Sequence, residues 1–137
     1  MKKSILLMLL TSIALYASSE SFYKKQYEFY IKKEKKALSK WRVLNTIVSM
    51  DENTIRENEE IDSKINNMVI ASGGNYDPTN DPEKDAKDEL EKDREKAEIA
   101  HKEYVNYLDK ITELSFKVEE DLHKLPKWFV VPKEESE

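Results

Sequence analysis

The chain has 137 residues, of which 39% are hydrophobic and 37% charged, with two glycines, four prolines and a net charge of −5. One domain is expected, and so much charge leaves little material for a thick core, which favours a thin helical fold over a β protein. The absence of cysteine excludes disulfides, thiolate nucleophiles, Cys-based zinc sites, haem attachment and the lipid-bearing cysteine of a bacterial lipoprotein.

Residues 1–19 read as a secretory signal. Lys2-Lys3 precede the apolar run from Ile5 to Leu10 and Ile13-Ala14-Leu15, and Ala17 and Ser19 fit the small-x-small cleavage rule. Cleavage after Ser19 leaves 118 residues and, without Lys2 and Lys3, a net charge of −7; cleavage after Ala17 is nearly equivalent. An uncleaved anchor is the alternative, disfavoured because the apolar run falls short of the ~20 residues a spanning helix needs.

Residues 20–71 predict a first helix. Tyr23, Tyr27, Tyr30, Ala37, Trp41, Leu44, Val48, Ile55, Ile65 and Val69 recur at the alternating three-and-four spacing of a heptad seam, interrupted by Glu34, Asp51, Asn58 and Asp62. A helix of that size would be roughly 75 Å long at 1.5 Å per residue, too long to stand without a partner for its apolar stripe.

A turn is expected over 72–82, where both glycines and two of the four prolines fall. Gly73-Gly74 supply the positive φ that ends a helix, and the residues before Pro78 and Pro82 are held away from the α region. Asn80 or Asp81 can cap a second helix that opens on Pro82, with Glu83 suiting the dipole. This loop carries alternating oxygen-bearing side chains, but Pro82 stands where a calcium loop needs glycine, so capping explains it.

The second helix, 83–125, supplies the partner. Leu90, Ala97, Tyr104, Ile111, Val118 and Leu125 hold one heptad position, and Ala86, Ala100, Tyr107 and Leu114 the other, broken by Asp93 and Asp121. A fold-back at residues 75 and 76 predicts antiparallel partners whose numbers sum to roughly 151: Trp41 with Lys110 and Ile111, Leu44 with Tyr107, and Tyr27 with Leu122 and Leu125. Pro126 then ends the helix, and 126–137 form a short Pro/aromatic extension. Its Trp128 and Phe129 are expected to fold against the hairpin and cover it, with docking of a partner as the alternative, and residues 134–137 are expected to fray.

Charge is uneven. Eight bases, Lys24, Lys25, Lys32, Lys33, Lys35, Lys36, Lys40 and Arg42, lie against two acids between 24 and 42, while residues 77–103 hold eleven acids against six bases. Such blocks are usually solvated faces, but a basic band studded with aromatics also suits an anionic surface such as membrane headgroups. Nucleic acid is disfavoured by the leader, the acidic total and the lack of a binding motif.

Candidate chemistry is thin. The only histidines end two Glu-x-x-His motifs, Glu98 to His101 and Glu120 to His123, which supply metal ligands in di-iron bundles. On one helix they stand about 33 Å apart and cannot converge within a monomer. No nucleophile elbow, phosphate-cradling loop or acid-base pair can be assembled, so no catalytic residue, metal or cofactor is assigned.

The fold expected is all-α: a long antiparallel, coiled-coil-like two-helix hairpin after a signal peptide. The function expected is that of an exported, non-enzymatic protein, periplasmic or secreted, acting as a structural or accessory component of a bacterial envelope complex. Candidate interaction residues are Phe22, Phe29, Tyr30, Trp41, Phe116, Trp128 and Phe129. Apolar residues off the seam, among them Phe29, Ile31, Leu38, Val43 and Phe116, predict a homo-oligomer. Two alternatives stand beside this: a holdase or inhibitor clasping a client protein, and a peripheral binder of an anionic membrane through the basic band.

Overall fold

The computed structural model describes the backbone of residues 2–74 and 82–136, with side chains for 19–74 and 83–136. Two α-helices, α1 (Lys2–Ala71) and α2 (Pro82–Leu122), pack against each other as a hairpin, with no strand among the described residues. Of the expected turn, 75–81 lie outside the described residues, as do the side chains of residues 1–18 in the expected leader.

The end of α1 follows from its two glycines. Gly73 takes φ 81°; its N–H donates to the Ile70 carbonyl at 3.0 Å, and the Gly74 N–H to the Val69 carbonyl at 3.0 Å. These are the paired 5→2 and 6→1 bonds of a Schellman motif, which satisfy carbonyls that the helix leaves orphaned. A Cβ on Gly74 would meet the Val69 side chain at 3.1 Å, whereas one on Gly73 would meet nothing. Conformation alone therefore demands glycine at 73.

Helix α2 opens on Pro82 with Glu83 and Asp85 in its first turn, as the dipole favours. It stops at Leu122, short of the expected Leu125. His123 turns left-handed at φ 58°, and Leu125, preceding Pro126, is barred from the α region, so the chain leaves the helix before the proline arrives.

The chain divides into two compact units, Met1–Ala37 with Lys102–Glu137, and Leu38–His101. In the first, Ile111, Leu114, Val118, Leu122 and Phe129 form a buried cluster against which Tyr23, Tyr27, Tyr30, Ile31 and Trp128 pack. The C-terminal segment belongs to this core. A turn closed by the Phe129 N–H on the Pro126 carbonyl (3.0 Å) brings the Phe129 ring to 4.6 Å from that of Tyr27. The Tyr27 hydroxyl donates to the Val130 carbonyl at 3.0 Å and accepts from the Val130 N–H at 3.3 Å. The Glu135 N–H donates to the Tyr104 hydroxyl at 2.9 Å. The expected fraying of 134–137 is thus corrected at Glu135, which is tied to a fully buried tyrosine.

The second unit is leaner. Val48, Ile55, Leu90 and Ala97 make its apolar cluster, with Leu44 and Ala86 against it. Ion pairs cross between the helices from Glu52 to Arg94 at 2.9 Å and from Glu59 to Lys87 at 3.9 Å. Trp41 is buried and its ring lies 4.6 Å from that of His101.

These contacts correct the expected register. Asp51 meets Asp93 and Tyr23 meets Asp121, pairs that sum to 144, one heptad short of 151. The shift brings one polar interruption of each seam together: Asp51 faces Asp93, where the expected register would set it opposite buried Ala100. Burying one polar layer against another costs less than burying an acid against alanine.

Candidate functional site

Helix phase decides which candidate side chains are available. In the first unit α1 turns Tyr23, Tyr27 and Tyr30 to the core. At 100° per residue, Phe22, Lys25, Phe29, Lys32, Lys33 and Lys36 then share one arc on the opposite side. Phe22 is 59% exposed and Phe29 56%. Lys25, Lys32 and Lys36 are exposed and Lys33 is half-buried, its ammonium 5.6 Å from the centre of the Phe29 ring. Glu20, Glu28 and Glu34 fall outside the arc. Lys24, Lys35, Lys40 and Arg42 are also exposed, but Lys24 and Lys35 point off this face.

The aromatic candidates separate. Phe22, Phe29 and Phe116 are exposed. Tyr30 is half-buried against the core, as is Trp128, whose indole N–H donates to Glu20 at 3.2 Å. Trp41, 3% exposed, and Phe129, 4% exposed, are core residues and are corrected out of the contact set. Hydrophobic burial supplies the reason: a seam tryptophan meets the facing helix, and Phe129 completes a cluster that the two helices alone leave open.

In the second unit α1 carries a further apolar line that the sequence reading did not isolate. Val43, Ile47, Met50, Ile61 and Met68 fall on the arc continued by Thr54, Glu57 and Lys64, at spacings of four and three. All five apolar residues are exposed, from 37% at Ile47 to 70% at Met68. The signal was present as a second heptad phase, masked by the stronger one beside it.

Carboxyl groups are set against one another where the seams turn polar. Asp93 is buried, and so is the Oδ2 of Asp51. A hydrogen bond with Asp93, burial, and the charges of Asp93 and Glu89 raise the Asp51 carboxyl above its ordinary range. Glu83 is raised likewise, first by a hydrogen bond with Asp62, then by burial and by the charges of Asp62 and Glu59, with Lys87 opposing. In the first unit the Tyr23 hydroxyl donates to Asp121, which raises the phenol together with burial and the Asp121 and Glu120 charges.

His101 is half-buried beside Trp41 and His123 is exposed. Among the described residues no group of three or more His, Asp or Glu side chains is placed to hold a metal ion, and no helix is long and apolar enough to cross a membrane. Open depressions lie in the second unit, one lined by Ile65, Met68, Val69, Ser72 and Gly74 and one by Arg56, Glu59, Glu60, Ser63 and Lys64. Comparison with protein-family models, with curated proteins and with solved structures finds no match for this chain.

Proposed function

We propose that this is an exported, non-enzymatic protein that works by contact, as an accessory component of a bacterial envelope assembly in the periplasm or beyond it. The leader-like residues 1–19 support the compartment. The observation that carries the reading is the second apolar line on α1, Val43, Ile47, Met50, Ile61 and Met68, exposed at heptad spacing. A lone exposed leucine means little, but five apolar residues in one heptad phase between 43 and 68, interrupted at Thr54, Glu57 and Lys64, offer a helix-length surface that another helix can bury.

Photo-crosslinking residues placed at Met50 and Met68 in intact cells test this. One discrete adduct of fixed mass is expected from both sites and none from Arg56, which lies off the line; an adduct of twice the chain mass identifies a second copy as the partner. A ladder of many masses fits a client-clasping holdase instead. Absence of any adduct at both sites sinks the contact reading.

A further inference from the structure

The face of α1 in the first unit carries an inference that does not depend on the seam in the second. Phe22 and Phe29 stand two turns apart, both more than half exposed, and Lys25, Lys32, Lys33 and Lys36 stand between and beyond them on the same arc. The three tyrosines of the opposite side are packed into the core, so this arc points away from α2. Among the described residues none of these four lysines forms an ion pair.

Two kinds of anionic partner could meet such a face, an acidic protein surface or a bilayer rich in anionic lipid. Lysine is depleted from protein–protein interface centres, because its ammonium loses water and its long stem loses entropy on burial. At a lipid surface those properties work in favour of binding. The stem reaches along the apolar side while the ammonium stays among phosphates, and aromatic rings enter the acyl boundary at the same depth. Phenylalanines flanked by lysines, with the acids turned aside, match the second case.

We infer that the arc formed by Phe22, Lys25, Phe29, Lys32, Lys33 and Lys36 is a docking surface for an anionic phospholipid bilayer, on which α1 lies parallel to the membrane plane. Attraction comes from the lysines and falls with salt; the phenylalanines add a contribution that salt leaves in place.

The test is partition of the full chain onto vesicles of equimolar phosphatidylglycerol and phosphatidylcholine, compared with phosphatidylcholine alone. The apolar run at 5–15 is common to every variant, so differences between variants report on the arc. Binding is expected to be tighter on the anionic vesicles and to weaken as salt rises from about 0.05 M to about 0.5 M. Lys32→Gln with Lys36→Gln is expected to weaken it about 25-fold, at about fivefold for each lysine near an anionic surface. Phe22→Ser with Phe29→Ser is expected to weaken it about tenfold at unchanged salt slope, while Lys84→Gln with Lys92→Gln leaves it unchanged. All six positions are at the surface, and far-UV circular dichroism of each variant confirms retained helix. Equal partition onto both vesicle types, or indifference to the Lys32 and Lys36 substitutions, overturns the proposal. So does binding to soluble polyglutamate as tight as to vesicles and insensitive to Phe22 and Phe29, which would assign the face to an acidic protein.

Discussion

Replacing Asp93 by asparagine should stabilise the protein at neutral pH, although Asp93 is only 7% exposed and most substitutions at buried positions destabilise. Asp93 lies against Asp51, whose Oδ2 is buried, and the exposed Lys96 stands 3.9 Å from Asp93. Two unit charges about 4 Å apart at an effective dielectric constant of about 20 repel by about 4 kcal/mol, the ceiling for this pair. A hydrogen bond between the two carboxyls, with burial and the neighbouring charges of Asp93 and Glu89, raises the Asp51 carboxyl and relieves part of that repulsion. The side-chain amide introduced by Asp93→Asn would donate to an ionised Asp51 without the repulsion, at the loss of a weak surface pair with Lys96 worth a few tenths of a kcal/mol. The net gain near pH 7 is about 1 to 2 kcal/mol, a shift of about 1 M in the urea midpoint. Because the raised carboxyl binds its proton in the folded state at a pH where the unfolded chain has lost it, its contribution to stability is greatest below the unfolded carboxylate range and is lost as pH rises through the folded value. The advantage of Asp93→Asn should therefore shrink towards zero as pH falls to about 4. Urea unfolding followed by Trp41 fluorescence, with Trp128→Phe in both proteins so that the signal comes from the second unit, measures this. A variant less stable than its parent at neutral pH, or a gain of equal size at both pH values, would refute the account.

The left-handed residues that follow the two helices give opposite expectations. Gly73→Ala should cost about 1 kcal/mol although its Cβ would touch nothing, and His123→Gly should gain about 0.5 to 1 kcal/mol, each read as a shift of a few degrees in thermal midpoint. Tyr104→Phe leaves the ring packed but removes the acceptor of the Glu135 N–H; a loss of about 1 kcal/mol is expected, with faster trimming of the C-terminal residues by carboxypeptidase. The register can be read directly because the chain has no cysteine of its own. Asp51→Cys with Asp93→Cys should be joined rapidly by a short bismaleimide, and Asp51→Cys with Ala100→Cys, about 10 Å further along α2, should not; the reverse order would restore the register read from the sequence.

Much of the fold was legible because the signals are local. The glycine pair specifies the Schellman motif after Ala71 by backbone freedom alone, and period-3.5 spacing identifies the faces that meet at Trp41, Val48, Leu90 and Ile111. The register was not legible for a reason built into the same periodicity: sliding one helix by seven residues returns every seam position to an equivalent one, so the apolar pattern cannot distinguish a pairing that sums to 144 from one that sums to 151. Loop length was the only other guide, and it fails because a reversal need not be symmetric. Ile65, a seam residue by its spacing, is 43% exposed. The interruptions held the missing information. Asp51 and Asp93 are weak residues for a seam taken one helix at a time, yet only one of the two registers lets them share a layer. A similar separation governs the candidate contact residues. Aromatic content drew Phe22, Phe29, Trp41 and Phe129 into one class, and burial divides them into two surface residues and two core residues. Phase relative to the tyrosines predicts that division for Phe22 and Phe29. For Phe129 no helical phase applies, and its place depends on the turn at Pro126 delivering it to Tyr27. Polar residues inside a heptad seam are thus better read as register markers than as defects, and Asp93→Asn tests that view at its sharpest, because it should gain stability at neutral pH while loosening the constraint that selects one alignment from two.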